Sequence, residues 1–342
     1  MSAIKSLFGH MPDGSPVYSW TLENSSGAKV KILTLGGIIA ELWLPDRTGK
    51  FDDVVCGFDS VEGYLTGGGY QGALIGRYGN RIADGKFTLN GKTYILNKNE
   101  NGISHLHGGN EGFDKKLWYA EPHSGEGYDS LTLRCFSPDG EEGYPGNLSV
   151  TVTYTFRDDN SLSIVYEADT DADTPVNLTN HTYFNLSGYN AGDVLSNRLF
   201  IDADHYDAVD DRLIPVGEPV PVAGTEFDFT APRPIGQGYD HNFVLRPAEG
   251  LRKAAQLWDD ESGRTLELFT DMPSLQLYTA CVMDGPVPFK GGVPQRPLHA
   301  LCLETQYAPD TPNRPYMPSC ILRAGEHMRH ETVFKFGVFD KE

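Results

Sequence analysis

The most informative segment of the chain spans residues 174–186 and reads TPVNLTNHTYFNL. Apolar and polar residues alternate along it, as they do in a β-strand with one buried face. The alternation assigns the side chains to two faces: Val176, Leu178 and Asn180 on one, and Asn177, Thr179 and His181 on the other. Amide, hydroxyl and imidazole groups form many hydrogen bonds. The segment therefore predicts the wall of a polar pocket, with a solvated edge strand as the plainer alternative.

The rest of the chain also favours β-structure. Among its 342 residues are 38 Gly, 22 Pro, 17 Tyr and 17 Phe, and no long segment has a helical period. Short strand patterns instead alternate with loops rich in Gly, Pro and Asp. This arrangement is typical of a β-sandwich or barrel. Large β-folds run long as single domains, so we expect one domain over residues 1–342.

Several strands can be placed directly. Phe87–Tyr94 predicts a hairpin, because Asn90-Gly91 suits a type I′ turn that sets Phe87 opposite Tyr94. Two apolar runs between residues 29 and 44 are separated by a break at Gly36-Gly37, which predicts a bulge or bend. Two further hairpins and a final strand are expected at residues 147–156 with 161–168, at 254–258 with 264–270, and at 331–339.

Charge and cysteine content narrow the class of protein. The net charge is -19 and no basic run occurs, so neither a nucleic-acid partner nor an anionic membrane surface is expected. Five scattered cysteines without a CxxC pair are typical of reduced thiols. Residues 1–9 lack the apolar core of a leader peptide, and no apolar run reaches ~18 residues. We expect a cytoplasmic protein.

Five short stretches combine polar side chains with apolar or glycine-rich surroundings. Each also has an ordinary structural interpretation: an arginine can form a salt bridge, a histidine can cap a turn, and an aspartate can start an Asx turn. Together they supply the groups of a site for acid–base chemistry on a neutral, hydroxyl-rich ligand. The stretches are Gly76–Ala83, Ser104–Gly109, Thr174–Leu186, Gly238–Phe243 and Leu301–Gln306.

Other kinds of site are less well supported. A His/carboxylate metal site would draw on His105, His107, His181, His241, Asp240 and Glu304. However, residues 106–109 have the sequence of a loop, and His181 lies among Asn residues, so no metal is expected. The chain has no Gly-x-Ser-x-Gly motif for a serine nucleophile and no phosphate-binding glycine loop. We therefore expect no cofactor.

The motifs in their order resemble the aldose 1-epimerase (galactose mutarotase) family from about residue 30 onward. The resemblance implies a large antiparallel β-sandwich of the galactose mutarotase type with few short helices, an open sugar groove, and neither metal nor cofactor. The stretches that carry it are GNRI (79–82), LHGG (106–109), SPDGEEGYPG (137–146), NLTNHTYFNL (177–186), DHNF (240–243) and CLETQ (302–306).

The resemblance also implies roles for individual residues. By position, His181 resembles the general acid, Glu304 the general base, and His107 the histidine that polarises the ring-oxygen region. The implied sugar-binding residues are Asn80, Arg81, Asp240, Tyr183 and Gln276. One departure is Thr279-Ala280-Cys281, where many family members carry a Gly-Asn pair.

The expected chemistry is interconversion of the anomers of hexoses such as glucose and galactose. A base takes the C1 hydroxyl proton while an acid protonates the ring oxygen. If Glu304 is ionised and His181 protonated at pH 7, a neighbouring carboxylate or hydrogen bonding to the charged form should raise the histidine pKa. A sugar-binding module without turnover, and an enzyme for phosphorylated, pentose or disaccharide sugars, stay open. The oligomeric state is expected to be monomer or homodimer.

Overall fold

A computed structural model describes residues 3–339 of the chain. This part consists mainly of β-strands, with one short α-helix, α1 (Val61–Thr66), which Ser60 caps through its side chain. Five single-turn 3-10 segments occur at Ala83–Gly85, Phe113–Lys115, Glu141–Gly143, Lys290–Gly292 and Thr311–Asn313.

The strands of the described chain are numbered in chain order. The first fourteen are β1 (Ile4–His10), β2 (Pro16–Glu23), β3 (Lys29–Leu33), β4 (Ile39–Pro45), β5 (Phe51–Asp53), β6 (Leu74–Ile75), β7 (Arg81–Ile82), β8 (Lys86–Leu89), β9 (Lys92–Ile95), β10 (His105–Leu106), β11 (Tyr119–Gly125), β12 (Tyr128–Ser137), β13 (Leu148–Arg157) and β14 (Ser161–Thr170). The others are β15 (Thr174–Pro175), β16 (Thr179–Asn180), β17 (Arg198–Ile201), β18 (Ala203–Tyr206), β19 (Val220–Pro221), β20 (Arg233–Pro234), β21 (Asp240–Leu245), β22 (Arg252–Trp258), β23 (Arg264–Thr270), β24 (Ser274–Tyr278), β25 (Cys302–Gln306), β26 (Ile321–Leu322) and β27 (His327–Val338).

Three antiparallel sheets make up most of the fold. The largest has nine strands in the order β11-β12-β13-β14-β27-β23-β22-β17-β20. Two five-stranded sheets have the orders β1-β2-β3-β4-β5 and β19-β18-β21-β24-β25. One large hydrophobic core draws on all three, with residues such as Leu22, Leu133, Leu266 and Leu275 fully buried. These sheets confirm the prediction of a large antiparallel β-fold.

The predicted hairpins are confirmed with small changes in their bounds. Phe87 lies opposite Tyr94 in the β8–β9 pair, and Asn90 and Gly91 have the positive φ angles, 52° and 75°, that the turn requires. The pairs β13–β14 and β22–β23 form the two longer hairpins. The break at Gly36-Gly37 is a turn of two residues with positive φ between β3 and β4.

Residues 174–186 do not form the single alternating strand that their pattern predicted. Only Thr174–Pro175 and Thr179–Asn180 are strands, and every residue from 174 to 186 is buried. The asparagines replace the missing strand pairing with side-chain bonds to the backbone. Asn177 Nδ2 donates to the carbonyls of Gly79 and Tyr307, and Asn180 Nδ2 donates to that of Gly72. The prediction of an alternating strand, and the alternative of a solvated edge, were therefore wrong.

Two observations bear on the expected cellular setting. All five cysteines lie within residues 3–339 and are unpaired, which agrees with the expectation of reduced thiols. Over the same residues, no helix combines the length and apolar character needed to cross a bilayer.

Candidate active site

A cleft of about 450 Å³ opens at one end of the five-stranded sheet that contains β21, β24 and β25. Its wall is built from segments that are distant in the sequence, so the fold alone brings them together. Seven of the eight predicted site residues line it. The lining residues are Gly69, Tyr70, Asn80, Arg81, Glu100, Leu106, His107, His181, Tyr183, Leu213, Asp240, Tyr278, Cys281, Val282 and Glu304.

Glu304 and His181 face each other deep in the cleft. Glu304 lies in the middle of β25, and His181 follows directly after β16. Their nearest atoms, Glu304 Oε1 and His181 Nε2, are 3.6 Å apart, and both side chains are buried. The second carboxylate oxygen, Oε2, has no hydrogen-bond partner among the described residues. At this separation the two groups do not form a direct hydrogen bond, and a proton can pass between them through a bound hydroxyl group.

His107 is held by the backbone of Asn80. The Asn80 N–H donates to His107 Nδ1 over 3.1 Å, and the His107 N–H donates to the Asn80 carbonyl. Since Nδ1 accepts a hydrogen bond, the neutral imidazole carries its proton on Nε2. His107 has a φ of 50° and is followed by Gly108, where a Cβ atom would lie 1.8 Å from the Gly76 carbonyl oxygen. The tight turn fixes His107 as a hydrogen-bond donor.

A chain of polar side chains forms one side of the cleft. Arg81 donates to both carboxylate oxygens of Glu100, and its Nη1 lies 3.9 Å from Asp240 Oδ2. The other Asp240 oxygen accepts from Gln276 Nε2 over 2.6 Å. Gln276 is buried behind Asp240 and is not among the lining residues. In the structure Gln276 supports Asp240, and the predicted contact between Gln276 and the sugar stays a prediction.

Two tyrosines enclose the histidines. The Tyr183 ring lies 5.0 Å from that of His181, and its hydroxyl donates to the Gly69 carbonyl over 2.7 Å. The Tyr70 ring lies 4.7 Å from that of His107. Tyr70 was not predicted as a site residue. Its only sequence signal is its position in the glycine-rich stretch 66–72, where it adopts a φ of 59°.

Burial dominates the electrostatics of the site. It lowers the pKa of His181 to about 4. Burial, together with the nearby His181, also lowers the pKa of His107 well below its usual value. Burial and the neighbouring Asp240 raise the pKa of Glu304 well above its usual value. The expected rise in the His181 pKa was therefore wrong, because desolvation outweighs the backbone hydrogen bond that favours the charged ring. Burial thus favours the neutral imidazole of His181 and the neutral carboxyl group of Glu304.

Three of these side chains also resemble a metal-ligand set. His107, His181 and Glu304 each offer one ligand atom, and these atoms lie within 4.8 Å of one another. Two histidines and a glutamate form a known type of zinc site. A metal would occupy the same atoms that proton transfer needs. A reaction without metal or cofactor stays a prediction.

The other sequence candidates lie outside the cleft. The Arg77 guanidinium binds the backbone carbonyls of residues 137, 138, 145 and 146, so it is structural. His105 uses both ring nitrogens, on the Asn97 carbonyl and the Tyr144 hydroxyl. His241 does not line the cleft, and its Nδ1 accepts from the Asp240 N–H.

The segment 279–281, where the sequence departs from the family pattern, reaches the cleft through one residue. Cys281 contributes to the wall.

The structure is that of a large antiparallel β-protein whose cleft pairs a buried carboxyl group with a buried imidazole, beside several side chains that can form hydrogen bonds. Comparisons with known proteins identify the family. A model of the Aldose 1-epimerase family matches residues 18–335. The chain is 42% identical to a galactose mutarotase of Rattus norvegicus over 346 aligned residues, covering 99% of each chain. It is 37% identical to an aldose 1-epimerase of Escherichia coli (strain K12), covering 95% of this chain and 96% of the other.

Solved structures agree. An aldose epimerase homologue from C. elegans superposes with a TM-score of 0.87 at 28% identity, covering 94% of this chain and 98% of the other. A galactose 1-epimerase from Lactobacillus acidophilus gives 0.85 at 27% identity and covers 98% of both chains. The protein belongs to the aldose 1-epimerase family.

Proposed function

We propose that the protein is an aldose 1-epimerase that interconverts the α and β anomers of hexoses such as glucose and galactose. The observation that carries the proposal is the buried pair of Glu304 and His181, 3.6 Å apart in a cleft lined by Arg81 and Asp240. A cleft of about 450 Å³ falls in the ordinary range for small-molecule sites. Relatives that match nearly the whole chain are named for this activity.

The reaction needs one base and one acid at neighbouring atoms of the sugar. Glu304 takes the C1 hydroxyl proton while His181 donates a proton to the ring oxygen, so the ring bond breaks and an open-chain aldehyde forms. Rotation about C1–C2 presents the other carbonyl face. The ring oxygen then attacks that face, its proton returns to His181, and Glu304 returns its proton to the C1 oxygen. His107, Asn80, Arg81, Asp240 and Tyr183 bind and orient the sugar.

The pair must hold one proton in total for this cycle. Burial, which raises the pKa of Glu304 and lowers that of His181, favours the form with this proton on Glu304. A sugar hydroxyl that donates to Glu304 favours its ionised form, so binding drives the proton across to His181 Nε2. Each residue recovers its starting state on reclosure, and no covalent intermediate forms. Gln276 serves this arrangement indirectly, by holding the carboxylate of Asp240.

Polarimetry tests the proposed function directly. Freshly dissolved α-glucose or α-galactose should lose its excess optical rotation faster with the protein than with buffer. A panel that adds a pentose, lactose and glucose 6-phosphate would rank the substrates. Relaxation at the buffer rate for every sugar, with binding detected by calorimetry, would instead establish a sugar-binding module.

We expect kcat/KM to depend on pH as a bell-shaped curve that reports the coupled pair in the free enzyme. The active form carries one proton. A second proton on His181, whose pKa is about 4, removes activity on the acid side. Loss of the single proton from Glu304, whose pKa is raised by burial, removes it on the alkaline side. A profile flat from pH 4 to 9 would contradict the assignment.

We expect Arg81→Ala to raise KM by roughly 10-fold or more, because lost hydrogen bonds to a charged donor cost ~1–3 kcal/mol. The fall in kcat should be smaller, since Arg81 does not contact the proton-transferring atoms. Arg134→Ala is a matched control: Arg134 also pairs with a glutamate, Glu121, but at the surface. An unchanged KM in Arg81→Ala would show that Arg81 is structural.

A hexose phosphate is a weaker candidate. Among the described residues that line the cleft, Arg81 is the one lysine or arginine, and Glu100 already occupies it. A phosphate group normally requires more cationic donors than this. The two other expectations that join this proposal are a cytoplasmic location and a monomer or homodimer without nucleic-acid or membrane partners. The unpaired cysteines support the cytoplasmic location, and the net charge of -19 supports the absence of nucleic-acid and anionic-membrane partners.

A further inference from the structure

One strand contacts the His181 imidazole at both of its nitrogens. Cys302 and Glu304 are two residues apart on β25, so their side chains point to the same face of the sheet. Glu304 Oε1 lies 3.6 Å from Nε2, and Cys302 Sγ lies 3.4 Å from Nδ1. The thiol is fully buried. β25 therefore contacts the ring at Nδ1 through Cys302 and supplies the carboxyl group opposite Nε2.

The proton cycle requires a particular tautomer of His181. To receive a proton on Nε2, the neutral ring must carry its existing proton on Nδ1. A proton on Nδ1 needs an acceptor, and catalytic histidines commonly use a carboxylate or a backbone carbonyl there. Here the group within hydrogen-bonding distance of Nδ1 is the Cys302 sulfur. Burial raises the pKa of Cys302 well above its usual value, so the thiol stays neutral.

We propose that Cys302 is a positioning residue: its sulfur accepts the Nδ1–H of His181 and leaves Nε2 free to take up and return the catalytic proton. A neutral sulfur is a weak acceptor, so it fixes the tautomer without stabilising the imidazolium as a carboxylate would. The protonated ring thus remains a strong acid toward the sugar ring oxygen. The inference rests on the proposed function of His181.

The tautomer can be read from the ¹⁵N and ¹H shifts of the His181 ring in protein labelled at histidine, with His181→Asn used to assign the signals. In the wild type at neutral pH we expect the Nδ1-protonated form. Cys302→Ala should give a mixture of tautomers and a fall in kcat of ~10-fold with KM little changed. Cys302→Ser retains an acceptor and should restore both the tautomer and most of kcat.

Cys56→Ala is the matched control, because Cys56 is buried in the same hydrophobic cluster and is not bonded to His181. It should leave the tautomer and kcat unchanged. An Nε2-protonated ring in the wild type would overturn the inference, even if Cys302→Ala failed to fold. So would a loss of kcat in Cys302→Ala with the tautomer unchanged, which would indicate packing alone. Absence of turnover in the wild type would overturn the proposed function. The NMR measurement of the His181 tautomer does not depend on turnover, so the two failures can be distinguished.

Discussion

Glu304→Gln is expected to lose ~10²–10⁴-fold in kcat while the protein stays folded, which is the usual contribution of one acid–base group. The amide has nearly the shape of the carboxyl group, but it can neither accept the C1 hydroxyl proton nor pass a proton to His181. Oε2 has no partner among the described residues, so the exchange should leave few broken hydrogen bonds. The measurement is polarimetry at saturating sugar, with circular dichroism to verify the fold.

Glu267→Gln is the matched control, because it makes the same chemical change at a glutamate outside the cleft. Glu267 lies on β23, outside the cleft, and pairs with Lys253. It should keep the wild-type kcat. A loss below tenfold in Glu304→Gln, with an intact fold, would show that Glu304 is not the base.

The second large effect is expected for His181→Asn, which should lose kcat by a similar ~10²–10⁴-fold with little change in KM. His181 Nε2 lies 3.6 Å from Glu304 Oε1, whereas His107 is fixed as a donor by the Asn80 N–H at its Nδ1. His107→Asn should therefore lower affinity as well as kcat, since it removes a binding group. Separate fits of kcat and KM distinguish the two patterns.

A matched control for the histidine variants is His123→Asn, because His123 is exposed on β11. That variant should behave like the wild type. If His107→Asn lost only kcat, and His181→Asn lost both kcat and affinity, the two histidines would have exchanged roles. Wild-type activity in both variants would place the proton donor elsewhere.

The parts of the fold that follow local rules were predictable. The Asn90-Gly91 turn and its register depend on backbone angles that few residues adopt, and the long hairpins depend on alternation within one segment. The strand prediction for residues 174–186 was wrong because their asparagines form hydrogen bonds to distant backbone carbonyls. The alternation of apolar and polar residues carries no information about such partners. A buried irregular segment and a half-exposed strand can share one sequence pattern.

The site residues also divide into those that the sequence predicted and those that only the fold reveals. His107, His181 and Glu304 were predicted from polar groups in apolar or glycine-rich settings and from family resemblance. Glu100 and Tyr70 were missed, because only the folded chain brings them to the cleft. The direction of the His181 pKa shift was also missed. It depends on how much water the fold excludes, and no local pattern reports that quantity.

The place of β27 in the nine-stranded sheet has a consequence for biosynthesis. β27, the last strand in chain order, lies between β14 and β23 in the middle of that sheet. Until the ribosome has released this segment, β14 and β23 each present an unpaired edge, and buried residues such as Phe334 and Phe336 are missing from the core. Unpaired edges of this kind promote aggregation. A nascent chain that has reached β23 but not yet β27 therefore exposes two edges that the complete sheet covers.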